Sequence, residues 1–189
     1  MTRGFTLIET LVVMFILGII ASVALPDLSG SNSHKLDRAA EELALGLRFA
    51  RDESVRTGEP HAFSLNGSDS FIEGRVIRVY KLNMTNPGIY NSASVLYHPF
   101  TKQRFNYNFY NQMDGVKITN PVRNFYYKRV GLSDYLDYRL YFDKEGKPFI
   151  YDNSFSPKYR AYKSGELVLE YNDLTKKVVL EAGGRVSIE

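Results

Sequence analysis

The sequence predicts an α+β protein: a long amino-terminal helix, apolar in its first half and amphipathic in its second, packed on an antiparallel β-sheet domain. Three observations predict it. Residues 5–25 form an apolar run broken by one acid, Glu9. Leu36, Ala40, Leu43, Leu47, Ala50 and Ser54 then recur at alternating spacings of four and three, the period of one helix face. From His61 onward, short runs rich in Val, Ile, Tyr and Phe alternate with turn residues, and no helical period returns. One helical stretch followed by a series of strands is the α+β order.

The apolar run comes first. As a helix, residues 5–25 would reach about 31 Å, enough to cross a hydrocarbon core of about 30 Å. Arg3 is the one basic residue upstream of it, so the positive-inside bias keeps residues 1–4 in the cytoplasm and sends the remainder across. Glu9 is the anomaly, because a carboxylate deep in a bilayer costs about 2.5 to 3.5 kcal/mol on insertion scales and such residues exist for a partner. Pro26 ends or kinks this helix, and Asp27 to Ser33, DLSGSNS, reads as a polar breaker.

The amphipathic helix is expected over about residues 34–57. Its apolar stripe faces the domain's own sheet, while Glu42, Arg51, Asp52 and Arg56 on the other side read as solvated charges of both signs. Gly58 supplies a left-handed cap and Pro60 cannot continue the helix. Strands are expected near residues 61–65, with a turn at Asn66 and Gly67, and then at 71–82, where RVIRVYKL alternates covered and wet positions. Shorter strands follow at 95–97, 105–110, 116–119, 138–142, 148–151, 167–171, 178–181 and 186–188. They are separated by turn chemistry at residues 143–146, at Asn172 and Asp173, and at Gly183 and Gly184.

Composition agrees with one small domain of about 160 residues beyond the apolar run. The chain has no cysteine, so a packed core and not disulfides must stabilise it. A formal net charge of +3 is too small to argue for nucleic acid or anionic lipid from bulk electrostatics. The 14 Tyr and 12 Phe suit half-buried sheet faces first and contact surfaces second.

The residues GFTLIE, Gly4 to Glu9, resemble the processing site of type IV pilins and of the pseudopilins of type II secretion. That resemblance implies cleavage by a prepilin peptidase between Gly4 and Phe5, methylation of the new terminal amine on Phe5, and retention of the apolar helix. It also implies that Glu9 pairs with the terminal amine of a neighbouring subunit in a filament. EELALGLRFARDESVRTGEP at residues 41–60, LYFDKEGKP at 140–148 and GGRVSIE at 183–189 are similar to the GspH/FimT branch of minor pilins and pseudopilins. The resemblance does not extend over residues 83–138.

The division implied is a leader at residues 1–4, a transmembrane and assembly helix at 5–26, and a periplasmic GspH/FimT-like domain at 27–189. Members of the branch are noncatalytic inner-membrane proteins that sit at or near a filament tip and help start assembly. Their partners are other pilins or pseudopilins, the prepilin peptidase and the inner membrane. Two other readings of the amino terminus stand beside this one. A conventional secretory signal cut at Ser22, Val23 and Ala24 would leave a soluble protein beginning at Leu25. An uncut signal anchor would leave a periplasmic binding module in which Glu9 snorkels towards water.

No catalytic, cofactor or metal site is expected. His34, His61 and His98 are far apart in sequence with no cysteine to assist, and there is no HExxH, GxSxG or phosphate loop. A glycosidase-like carboxylate pair is a question of fold rather than sequence. One segment suggests a ligand surface at a filament tip. NPVRNFYYKRV, residues 120–130, interleaves Arg123, Lys128 and Arg129 with Phe125, Tyr126 and Tyr127, the mix that stacks bases and screens phosphates on single strands. The plainer reading is a strand with half-buried aromatics and solvated cations. The closing Gly184 and Arg185 lack the further basic residues that DNA-uptake pilins carry, which weighs against nucleic acid. The Tyr and Asn between residues 90 and 111 suit contact with sugar, a secreted substrate or a neighbouring subunit.

Overall fold

In the computed structural model, residues 7–24, 28–68, 76–83, 92–119, 127–129, 135–151 and 159–189 are described. The chain divides into two compact units, Met1–Ser31 and Asn32–Glu189. Helix α1 spans Leu7–Ala24 and α2 spans Leu28–Thr57. The strands are β1 His61–Ser68, β2 Val76–Lys81, β3 Asn106–Asn108, β4 Lys117–Ile118, β5 Tyr127–Arg129 and β6 Tyr135–Phe142. They continue with β7 Pro148–Tyr151, β8 Tyr159–Ala161, β9 Ser164–Tyr171, β10 Leu174–Glu181 and β11 Val186–Ile188. A single helical turn, α3, covers Phe109–Gln112. A helical start followed by antiparallel sheets is the α+β class expected.

The helix stripe is buried as its period requires: Leu36, Ala40, Leu43, Leu47, Ala50 and Ser54 are all inside, joined by Ala39 and Ala44. Two sheets share this stripe. The larger runs β3-β2-β1-β6-β7-β8 with β5 also paired to β6, and the smaller runs β11-β10-β9-β4. The main core joins the α2 stripe to Phe63, Leu65, Ile77, Val79, Leu140 and Phe142 of the first sheet and to Leu167, Leu169, Val178 and Leu180 of the second. Burying one such side chain contributes about 1.5–3 kcal/mol, so this layer dominates the stability of the unit. A smaller cluster of Ala62, Tyr80, Leu82, Val95 and Tyr141, with Phe149 against it, forms apart from this core. Alternation along β1 explains the split, since Ala62 pairs with Tyr80 while its neighbour Phe63 pairs with Val79 and points to the other face.

Several expectations are corrected. The second helix begins at Leu28 rather than near His34, so part of the DLSGSNS segment is helical. Its Ser, Gly and Asn each cost less than about 1 kcal/mol in a helix, and elongating an existing helix is far easier than nucleating one. Asn66 and Gly67 do not turn. They continue β1, pairing with Val76 and Asp137 and with Leu136, because strands on both flanks outweigh a local turn preference. The reversal between β1 and β2, part of the strand expected at 71–82, lies outside the described residues.

The strand expected at 105–110 is β3 followed at once by α3, whose first turn is capped by Asn108 Oδ1 accepting the Asn111 N–H at 3.0 Å. Residues 95–97 make only isolated bridges, Tyr80 with Val95 and Tyr97 with Arg104. The ends are as read. Gly58, at φ +70°, closes α2 by donating to the Ser54 carbonyl at 3.0 Å. Asn172 and Asp173, at φ +46° and +65°, make the tight β9–β10 turn.

Two charges expected on a wet face are only partly solvated. Arg51 is half-buried beneath the β6–β7 and β10–β11 turns, and its Nε makes no hydrogen bond among the described residues. A Cβ at Gly146 would lie 3.1 Å from that Nε, and one at Gly184 would collide with the Gly146 carbonyl. Turns from both sheets therefore close on one helical residue. The second charge is Glu42, considered next.

Candidate functional site

Of the residues expected to act in processing, Gly4 and Phe5 lie outside the described residues. Glu9 is in the first turn of α1 and exposed. A carboxylate there is compatible with the positive end of the helix dipole. Around it the helix is apolar on all sides, with Leu7 83%, Met14 71% and Phe15 68% exposed. Side chains 7–19 are all exposed. An apolar surface all round differs from the single apolar stripe of a surface helix in a globular domain. Among the described residues no helix is long and apolar enough to cross a membrane. Residues 5, 6 and 25 of the expected span lie outside them.

Of the segment read as a possible ligand surface, Arg123 and Tyr126 also lie outside the described residues. Tyr127, Lys128 and Arg129 form β5, in register with Tyr138, Asp137 and Leu136 of β6. The sequence therefore places these three in the larger sheet, with Lys128 directly opposite an acid in the ladder.

A polar cluster that the sequence did not single out centres on Glu42 of α2. Its Oε1 accepts the Tyr107 hydroxyl at 2.5 Å and the Nε2 of His98 at 3.1 Å. The backbone N–H groups of Phe100 and Thr101 both lie 3.2 Å from His98 Nδ1, which must therefore offer its lone pair, leaving the ring proton on Nε2. Phe105 stacks on the imidazole at 5.0 Å between ring centroids. Burial, reinforced by the nearby carboxylate, pushes the Tyr107 hydroxyl far above the ordinary tyrosine range, so it stays a donor. The arrangement ties residues 98–107 to α2.

The other buried histidine, His61, joins helix to sheet. Its N–H donates to Ser54 Oγ at 3.0 Å, and Ser54 Oγ in turn donates to the Ala50 carbonyl at 2.9 Å. Burial lowers the His61 pKa, only partly opposed by its bond to the Glu59 carbonyl and by nearby acids. Among the described residues no group of three or more His, Cys, Asp or Glu is placed to hold a metal ion.

Residues 1–25 match the family described as the prokaryotic N-terminal methylation motif. The match is confined to the amino terminus, over α1 and the residues before it. Among solved structures, the chain is similar to the type IV minor pilin FimU of Pseudomonas aeruginosa strain PAO1 at 16% identity. That alignment covers 83% of this chain and 90% of the other, with a TM-score of 0.41. No curated protein matches the chain.

Proposed function

We propose that the chain is a minor pilin or pseudopilin of the GspH/FimT type, acting in a type II secretion system or a type IV pilus. Prepilin peptidase cuts it between Gly4 and Phe5 and methylates Phe5. The apolar helix holds the subunit in the inner membrane with the sheet unit in the periplasm. The subunit then enters a filament with other pilins, at or near the tip, and helps start assembly.

The observation that carries this reading is the coincidence of the methylation motif over residues 1–25 with α1, a helix apolar on all sides that bears one carboxylate in its first turn. Lipid stores such a helix, and other apolar helices replace lipid when subunits assemble. Glu9 then sets register: the terminal amine of a neighbour neutralises its carboxylate, removing much of the desolvation cost that either charge would carry alone. On this reading the chain is a structural subunit, with no catalytic residue and no cofactor.

Glu9→Ala tests it. The variant is cut and methylated like the parent but fails to enter filaments, scored by immunoblot of sheared or cross-linked filament fractions. Incorporation at the parental level would remove the role of Glu9.

A further inference from the structure

Among the described residues of the unit Asn32–Glu189, the most exposed large apolar side chain is Phe100, at 76%, and Tyr97, at 59%, lies in the same excursion of chain between β2 and β3. A free loop would leave a phenylalanine mobile; this one is held out by a dense set of bonds. Phe100 and Thr101 donate to His98 Nδ1, His98 donates its N–H to the Gln103 carbonyl at 2.7 Å, and Lys102 donates its N–H to the His98 carbonyl at 3.1 Å. Lys102 sits at φ +59°, a left-handed conformation that a non-glycine residue adopts at a cost. His98, only 6% exposed, anchors the turn to Glu42 of α2 and to the ring of Phe105. A buried polar network and a strained residue thus fix the backbone of the turn that carries this exposed aromatic. Such a turn has little backbone entropy left to lose on binding, so an aromatic it presents can act as a hot spot.

The surroundings indicate the partner. Between Ala93 and Met113 the charged residues are Lys102 and Arg104, with no acid. Both are exposed, Lys102 with its Nζ donating to the Pro99 carbonyl at 2.7 Å. Two cations are too few for a phosphate polymer, whose binding draws on many. Exposed Tyr97 is bridged to Arg104, with Phe100 at the turn between them, and aromatics together with an arginine are the composition of a protein-binding hot spot.

We propose that the Phe100 turn is the docking knob for another subunit of the same assembly, one that offers an apolar pocket rimmed by carboxylates. The inference rests on the filament reading above. It assigns a contact to residues 95–104, which that reading leaves without a role.

The test uses the full chain in its native host, with photoreactive benzoylphenylalanine at position 100. Ultraviolet light cross-links it to one other subunit, at an apolar site with Asp or Glu at its rim, and only when prepilin peptidase is present. Phe100→Ala then weakens binding of the purified partner about 30-fold, the scale of a hot-spot truncation, without moving the unfolding midpoint. Arg104→Glu also weakens it, and reversing the mapped carboxylate to Lys restores binding. A chain that is processed and assembled yet cross-links only to lipid, nucleic acid or a surface without acids overturns the docking inference alone. So does unchanged binding by Phe100→Ala. A chain that is never cut at Gly4 overturns both this inference and the reading beneath it.

Discussion

Replacing Glu42 with Ala tests the polar cluster on α2 quantitatively. The substitution removes the acceptor of the Tyr107 hydroxyl at 2.5 Å and of His98 Nε2 at 3.1 Å, and it leaves two donors facing a smaller side chain. Hydrogen bonds to a charged group contribute about 1.5–3 kcal/mol each, and an orphaned buried donor costs about 1–3 kcal/mol. The Glu42 side chain is 19% exposed, so water partly rescues the orphans and the lower end of each range applies. The expected loss is about 2–4 kcal/mol. Tyr107→Phe removes one donor with its bond and costs about 1–2 kcal/mol. Because both act through one oxygen, the double variant loses less than the sum, with a coupling of about 1–2 kcal/mol. The assay is urea unfolding of the detergent-solubilised chain followed by sheet circular dichroism, reading midpoints at constant slope. A Glu42→Ala chain within about 0.5 kcal/mol of the parent, or single losses that simply add, would refute the account of the cluster.

Other substitutions probe other joints. Gly184→Ala is strained at φ +83° and drives a Cβ into the Gly146 carbonyl, so it should lower stability by about 2–4 kcal/mol, seen as an earlier urea midpoint. His61 is held below its usual pKa by burial, so the unfolded chain takes up the proton first on acidification. Stability should therefore be full above about pH 6.5 and fall as the pH drops through the unfolded value towards the lower folded one. His61→Asn should flatten that part of the unfolding profile between pH 7.5 and 5, while an unaltered slope would clear His61 of the role. Gly4→Glu should leave an uncut precursor on mass spectrometry, in contrast to Glu9→Ala, which is cut and fails later.

What was legible in the sequence follows the range of the interactions concerned. The α2 stripe was readable because helical burial repeats locally, and the Asn172–Asp173 turn and β11 were readable because turn chemistry is a property of adjacent residues. Asn66 and Gly67 misled because their partners, Val76, Asp137 and Leu136, come from β2 and β6, and pairing on both flanks overrides a dipeptide's preference. Glu42 and Arg51 were misread for a related reason. A helix period tells which residues face away from the apolar stripe but not whether another segment folds over them, and the partners of Glu42 lie 56 and 65 residues along the chain. The methylation motif over residues 1–25 was legible because it is a property of one linear segment. The Phe100 turn was not, since its distinction lies in the bonds that hold it rather than in its composition.

The central claim is tested most directly by the intact mass and terminal sequence of the protein expressed in a bacterium with and without a prepilin peptidase. The account predicts a chain that begins at methylated Phe5 only when the peptidase is present. A chain beginning at Leu25, or one that keeps Met1 under both conditions, would contradict it.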